Sequence, residues 1–418
     1  MDPHEKLVLL NEVLEGCKTS PFYRDRLPGR PLRSLKELKR IPLTTKQDLR
    51  RCSPFELLCV PRAAICQYHE TYGTTGPPVS TWFTKHDLKD NAKEITRCGI
   101  GFNKEDTVLV RFPYAISAVA HMVHAAAQSK GACVIPASSR STVSPFPRVV
   151  NLLRNLEVTI LAGLPLQALL IAETAELQGL NPHEDFPHLR AILTAGEPLS
   201  GARRKLLQNI WGVPVFDIYG MAEIGTAVVD CEFGRPHSLE DYFVFELLDK
   251  DLRKDVRIGE MGYLVVTTLK KRATPMIRYL TGDLARIKEE NCACGRQICL
   301  EVRGRRDDAV NVKGRLLDRW DFEEMLSHLP CWRFWAAGPV PGGVHIVVEA
   351  EKAGDSVPRE LIGMLENKYE MRFRIEVVPK GTLYDRSELL AVAVVGKPQH
   401  IYSAQEMEQK AYIKGVKV

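Results

Sequence analysis

Residues 71–78 read Thr-Tyr-Gly-Thr-Thr-Gly-Pro-Pro, a run of hydroxyls and glycines just ahead of the extended segment Val79-Ser-Thr-Trp-Phe83. Glycines let the backbone curl until several N–H groups face one point, and threonines add side-chain donors. That chemistry can hold a polyphosphate; taken alone, the run is equally a tight turn before a strand. Four further pieces follow in order. Ala195-Gly-Glu-Pro198 comes directly after a strand-like run, where α/β sheets place ligands; its plainer reading is a helix entry with Pro198 just before a cap. Asp217-Ile-Tyr-Gly-Met-Ala-Glu223 follows another such run. Tyr219 can stack on a purine and Glu223 can hold a metal bound to phosphates, or they are one core aromatic and one surface acid. In Arg278-Tyr-Leu-Thr-Gly-Asp-Leu284 an aspartate in a glycine turn can accept both hydroxyls of a ribose, or simply close an Asx turn. In Arg303-Gly-Arg-Arg-Asp-Asp-Ala309, Arg305 can contact ribose or phosphate, or belong to a solvated charge run. Each plain reading stands by itself, but the five pieces in this order do not arise easily by chance.

Such loops need a scaffold. Strands are expected over 107–112, 131–136, 158–162, 189–194 and 213–218, alternating with helices over 115–129, 146–156, 165–178 and from a Ser200 cap to 210. That alternation implies βαβ units and an α/β domain with mainly parallel sheets flanked by helices. Strand-like runs at 242–248 and 262–268 suggest an antiparallel or barrel-like sub-region. Past Asp307 a strand (344–348), a helix (358–369) and a strand (373–378) outline a small α+β unit. Residues 1–70 read as helical and irregular, punctuated by Pro21, Pro28, Pro31, Pro42, Pro54 and Pro61. The expected division is a large domain over 1–306 and a small one over 307–418.

Composition narrows the function classes. The 418 residues are 45% hydrophobic and 26% charged, enough for a substantial core in two or more domains. The net charge of +5 comes from 57 basic against 52 acidic residues with no basic block, which argues for a small anionic substrate and against nucleic acid. The start, Met1-Asp-Pro-His-Glu-Lys, carries acids and no long apolar core, so no signal peptide is expected there. No apolar run reaches the ~18 residues of a spanning helix. The expectation is a cytoplasmic chain, off the membrane, whose 11 cysteines are reduced thiols with a metal site open to a subset.

The order of the five pieces resembles the adenylate-forming superfamily, and within it the phenylacetate–coenzyme A ligase-like branch. Pro21-Phe-Tyr-Arg24 and Leu43-Thr-Thr-Lys-Gln-Asp-Leu49 are similar to that branch's N-terminal signature, and the stretch from Arg305 through Gly314 to Glu324 to its hinge and mobile tail domain. The resemblance implies a two-step reaction: a carboxylate attacks the α-phosphate of ATP, giving an acyl-adenylate and pyrophosphate, and a thiol then displaces AMP. It implies that Thr71, Gly73, Thr74, Thr75 and Gly76 hold the phosphates, and that Gly196, Glu197 and Pro198 line the adenine. Asp217, Tyr219, Gly220 and Met221 would stand near the base, Glu223 would bind magnesium, Asp283 the ribose hydroxyls, and Arg305 the nucleotide. Asp307 would be the hinge. Magnesium and donors would neutralise the triphosphate so that an anionic carboxylate can approach.

In that branch the acid is usually aryl or arylacetic. The acyl pocket is expected under Phe112-Pro-Tyr114 and the following helix, with Tyr114, Ser117, His121, Ala195 and Gly220 as candidates; Ser117 and His121 share one helical face, and His121 is equally a core histidine. The acceptor would be coenzyme A or the phosphopantetheine of an acyl carrier protein, and a homodimer is among the assemblies the resemblance allows. Separately, Cys231, His237, Cys292 and Cys294 offer three sulfurs and one imidazole, a set that suits structural tetrahedral zinc. Cys299 is a rival ligand, and ordinary buried thiols are the plain alternative.

Two departures bear on activity. Pro77 stands where the phosphate loop commonly carries a lysine, and Leu390 matches the position of the tail's adenylation lysine, with Lys397 seven residues later. A cation at the α-phosphate can be worth ~3–4 kcal/mol, so adenylation is expected to be weak unless Lys397 or a late lysine (Lys410, Lys414 or Lys417) substitutes. Three functions follow: an ATP-dependent aromatic acid–thiol ligase, a thioester acyltransferase between coenzyme A and a carrier protein on the same fold, or a non-catalytic nucleotide-binding scaffold. Retention of Glu223, Asp283 and Arg305 argues against the last.

Overall fold

A computed structural model describes residues 2–71, 76–352, 354–386 and 399–414. In chain order its main elements are α1 (Pro3–Cys17), α2 (Lys46–Cys52), β1 (Ile65–Glu70), β2 (Ser80–Thr84), α3 (Lys85–Ile95), β3 (Thr107–Val110), α4 (Ala118–Ser129), β4 (Cys133–Ile135), α5 (Phe146–Asn155), β5 (Ile160–Gly163), α6 (Pro165–Leu177), β6 (Ala191–Ala195) and α7 (Gly201–Trp211). They continue with β7 (Val215–Met221), β8 (Gly225–Asp230), β9 (Pro236–Ser238), β10 (Phe243–Leu248), β11 (Met261–Thr268), β12 (Tyr279–Glu289), β13 (Ile298–Arg305), β14 (Val310–Val312), β15 (Arg315–Leu317), α8 (Arg319–Leu326), β16 (Trp335–Val340), β17 (Gly343–Glu349), α9 (Arg359–Tyr369) and β18 (Arg372–Val378). The class is α/β with a large, parallel-rich sheet, as the strand–helix alternation implies. Among the described residues no helix is long and apolar enough to cross a membrane.

The chain forms two compact units, Met1–Pro136 with Phe216–Val302, and Ala137–Val215 with Arg303–Val418. In the first, β3 and β4 pair in parallel across the α4 crossover. Val108, Leu109 and Val110 are all fully buried, as a strand covered on both faces requires. β7, β8 and β9 form an antiparallel meander, and β10 to β13 a four-stranded sheet in sequence order. Helix α2 starts with a capping box in which Thr45 and Asp48 satisfy each other's backbone N–H.

The first unit differs from the sequence expectation in two places that matter. Tyr219, Gly220 and Met221 are the last residues of strand β7, not a loop beyond it. Asp283 is likewise in a strand: β12 runs through it, and Gly282 at φ +82° lets the register jump from Leu280 opposite Val265 to Leu284 opposite Tyr263. The aspartate therefore sits in a bulge, which re-aims a side chain where a flat strand would not.

In the second unit β5 and β6 pair in parallel. Ser200 caps α7 by accepting from Arg203 N–H at 3.0 Å, as its position in the sequence suggests. The C-terminal stretch folds around β17, antiparallel to β16 and parallel to β18. Phe322, Met325, Trp335, Ile346 and Phe373 form its core, and Ala202 and Leu206 of α7 pack against it.

Candidate active site

In the first unit two of the expected nucleotide residues meet, and a third, Glu223, follows in the turn after the strand that carries Tyr219. The Tyr219 hydroxyl donates to Asp283 Oδ2 at 2.6 Å, and Asp283 is 4% exposed. The bulge is held by Thr281, whose hydroxyl donates to Leu264 O and accepts from Asp283 N–H at 3.1 Å. Glu223 stands in the short turn from β7 to β8, where Met221 pairs with Gly225. Its carboxylate is buried and accepts from the Tyr279 hydroxyl at 3.2 Å. Asp217 N–H, lower on β7, donates to Asp230 at 2.6 Å.

Two cations stand at the same turn that the sequence reading left without a role. Lys46 Nζ, at the start of α2, lies 3.9 Å from Glu223 Oε1. Lys271 Nζ donates to the carbonyls of Ala222 and Glu223; burial pulls its pKa down to about 8 against the pull of Asp87, Glu223 and Glu94. Helix α2 carries a further cation one turn on. Arg50 Nε donates to Pro77 O at 3.0 Å, and its guanidinium packs on Gly76. Lys46 and Arg50 are i,i+4 neighbours on one helix face. That spacing was the signal available in Thr44-Thr-Lys-Gln-Asp-Leu-Arg50. Of the phosphate loop, Thr71 closes the base, its hydroxyl accepting from Val79 N–H at 3.0 Å; Gly73, Thr74 and Thr75 lie outside the described residues.

The acyl-pocket candidates Tyr114, Ser117 and His121 fall together at the head of α4. His121 Nε2 donates to Tyr114 O at 3.0 Å, and the Tyr114 hydroxyl meets His124 Nδ1 at 3.1 Å; burial pushes the phenol up to about 12. His69 donates from Nδ1 to Ile116 O at 2.9 Å and its ring lies 5.1 Å from that of His121. Ile116 adopts φ +61°, a strained conformation for a β-branched residue, and its side chain is exposed. Ser117 is buried at the N-cap of α4.

The remaining pieces are in the second unit. Ala195 ends β6, Gly196 follows in the left-handed region, and Glu197 accepts from Arg319 of α8 at 3.2 Å. Pro198 lies against Gly304, where a Cβ would come within 2.6 Å of its ring, so the stretch before Arg305 is pressed onto the Glu197 loop and needs glycine there. Arg305 is half-buried at the end of β13, and Asp307 is exposed on a single 3-10 turn. Lys397 and Leu390 lie outside the described residues, as does Lys417.

The four zinc candidates come together in the first unit: one ligand atom each from Cys231, His237, Cys292 and Cys294 lies within 4.8 Å of the others. Cys231 and Cys292 sulfurs are 3.6 Å apart, and Cys294 Sγ is 3.3 Å from His237 Nε2. His237 donates from Nδ1 to Ile298 O at 2.7 Å, which fixes the tautomer and leaves Nε2 as the ligand nitrogen. Cys299 stands on the other side of the ring, 4.0 Å from Nδ1, and so outside the cluster. Burial raises the Cys231 thiol to about 11. At Cys292 burial also acts upward, but donors from Cys294, His237 and Cys231 bring it down to about 7. The donor set fits a structural zinc.

An α/β chain with a buried carboxylate in a strand bulge, a second carboxylate in an adjoining turn and cations around it has the parts to bind a nucleotide. Residues 62–268 match the family model described as AMP-binding enzyme. The phenylacetate-coenzyme A ligase of Thermus thermophilus is 33% identical over 78% of this chain and 77% of its own, and that of Escherichia coli 31% identical over 70% and 68%. A solved 2-hydroxyisobutyryl-CoA ligase, in the postadenylation state with R3-HIB-AMP, superposes with a TM-score of 0.86 over 98% of this chain and 91% of its own at 22% identity. The chain belongs to the phenylacetate–coenzyme A ligase family of AMP-forming acid–CoA ligases.

Proposed function

We propose that this ligase activates an aromatic carboxylic acid, aryl or arylacetic, as its acyl-adenylate and passes it to coenzyme A. The observation that carries the nucleotide half is the placement of Asp283 in a strand bulge beside Tyr219, with Glu223 and Lys46 at the neighbouring turn. Asp283 takes the ribose hydroxyls and Tyr219 holds the carboxylate in the orientation they need. Lys46 and Arg50 bring positive charge to the phosphates from α2, which offsets the proline in the phosphate loop and the leucine at 390. Gly196, Glu197 and Pro198 line the base, and Arg305 contacts the nucleotide. The aromatic acid is favoured by the Tyr114, His121 and His69 rings at the head of α4 and by the relatives' names.

Glu223 is the residue that would hold magnesium, whose chemistry is to neutralise phosphate charge while pyrophosphate leaves. Cys231, His237, Cys292 and Cys294 would hold zinc in a structural role, since four protein ligands leave no open position. The tail beyond 306 swings about Asp307 between the half-reactions.

Pyrophosphate exchange across a panel of aromatic acids, run beside transfer from aryl–coenzyme A to a carrier protein, tests the reading. Exchange with an aryl acid and thioester formation on coenzyme A support it. Transfer without ATP would instead favour the acyltransferase, and neither signal would leave only nucleotide binding.

A further inference from the structure

The turn that presents Glu223 is braced from behind by a side chain the reaction scheme does not use. Lys271, in the loop after β11, is 8% exposed. Its Nζ donates to Ala222 O at 3.2 Å and to Glu223 O at 2.6 Å, and lies 4.8 Å from the centre of the Phe83 ring. The far side of the turn is held by α3. Glu94 Oε2 accepts from Thr226 N–H at 2.9 Å. Gly225, at φ +90°, packs so tightly that a Cβ would come within 2.8 Å of Asn91 Oδ1 and Glu94 Oε2. The turn therefore has both shoulders pinned, one by the Lys271 ammonium and one by the buried Glu94 carboxyl group.

Burying an ammonium is costly, and an apolar side chain would fill the same space at less cost. The geometry gives the charge a task. Two successive carbonyls on one ammonium cannot turn independently, so the peptide planes flanking Glu223 are fixed. The direction in which the Glu223 side chain leaves the backbone is then fixed as well. A catalytic carboxylate whose backbone can rotate would lose the orientation that electrostatic preorganisation depends on.

We infer that Lys271 is a positioning residue: by clamping the Ala222 and Glu223 carbonyls it aims the Glu223 carboxylate at the metal–phosphate group. The inference rests on the reading of Glu223 as the magnesium ligand. It makes Lys271 a residue that lowers the magnesium needed for ATP binding and is dispensable for binding AMP.

The test is calorimetry on the full chain, with AMP in the absence of magnesium and with a non-hydrolysable ATP analogue over a magnesium series, together with thermal melts. Lys271→Met is expected to melt cooperatively, to keep AMP affinity within about threefold, and to need about tenfold more magnesium for half-maximal analogue binding, the size of one lost hydrogen bond to a charged group. Lys271→Arg, which keeps the donors, should return the magnesium requirement to within about threefold of the parent. A Lys271→Met protein with the parent's magnesium requirement overturns the inference. So does equal loss of AMP and of the magnesium–analogue complex, because that is general loosening of the unit. If Lys271→Met fails to fold, Lys271→Gln is held to the same outcomes. Glu223→Gln separates the two readings. If it leaves the magnesium requirement unchanged, the magnesium role of Glu223 falls and this inference with it; if it raises the requirement while Lys271→Met does not, Lys271 alone is excluded.

Discussion

The Tyr219 hydroxyl donates to Asp283 across 2.6 Å, tying the end of β7 to the bulge of β12 inside one compact unit. Asp283 is nearly fully buried, so its oxygens need hydrogen-bond donors in place of water. The phenol supplies one and leaves acceptor lone pairs for a ligand's hydroxyls. Asp283→Ala should abolish measurable AMP binding by calorimetry, whereas Tyr219→Phe should weaken it about tenfold, the scale of one hydrogen bond to a charged group. Unchanged AMP affinity in Asp283→Ala would remove this site from the nucleotide.

The His237 tautomer makes the metal claim specific. With Nδ1 engaged by Ile298 O, a zinc bound at Nε2 would take Cys294 as a ligand and leave Cys299 out. Purified protein should carry about one zinc per chain. Cys294→Ala should lose it, and Cys299→Ala should keep it. A chelator should lower the melting temperature of the parent and leave that of Cys294→Ala unmoved. Metal-free parent protein with no response to chelator would remove the zinc.

The parallel core was legible because β3, β5 and β6 are short apolar runs separated by helix-length segments, a pattern readable from local sequence. The antiparallel β12 and β13 were not: Arg286, Lys288 and Glu301 pair across these strands on a solvated face, and their charge hides the strand pattern. The same cause hid the setting of Asp283. Thr281-Gly-Asp283 reads locally as a turn, and only pairing with β11, far along the chain, converts it into a bulge. The grouping of Cys231, His237, Cys292 and Cys294 was legible because thiol and imidazole side chains are chemically distinctive. Lys46, Arg50 and Lys271 were missed because a lysine or arginine in the sequence is ordinarily a solvated charge; what singles these out is tertiary placement against Glu223 and Pro77.

Lys46 beside Glu223 bears on Leu390, which the resemblance sets at the position of the tail's adenylation lysine. If α2 supplies the cation, Lys46→Ala should lower pyrophosphate release with an accepted acid by about a hundredfold, the range seen on removing one electrostatic donor. Thioester formation from preformed acyl-adenylate should change far less. Leu390→Lys should then raise pyrophosphate release in the Lys46→Ala background more than in the parent. A Lys46→Ala enzyme as fast as the parent in pyrophosphate release would assign the cation elsewhere.

Glu323 predicts how the second unit responds to acid. The residue is fully buried on α8, where it accepts from Arg203 Nε at 3.0 Å, from Ser200 at 2.5 Å and from Arg319 at 3.0 Å. Burial pulls its pKa up, but Arg203, Arg319 and the serine donor outweigh this and hold it at about 2, against 4.5 for an ordinary glutamate. A carboxyl with a depressed folded-state pKa contributes stability that is complete above 4.5 and is lost as pH falls toward 2. Urea melts of the full chain should therefore show a transition for this unit that is flat in Glu323's contribution above that window and shifts to lower denaturant within it. Glu323→Gln leaves Arg203 buried without its counter-charge and should cost about 3–5 kcal/mol, while removing part of the acid dependence. A Glu323→Gln protein as stable as the parent at neutral pH, with the same acid profile, would show that the Arg203–Glu323–Arg319 group does not hold α7 to α8.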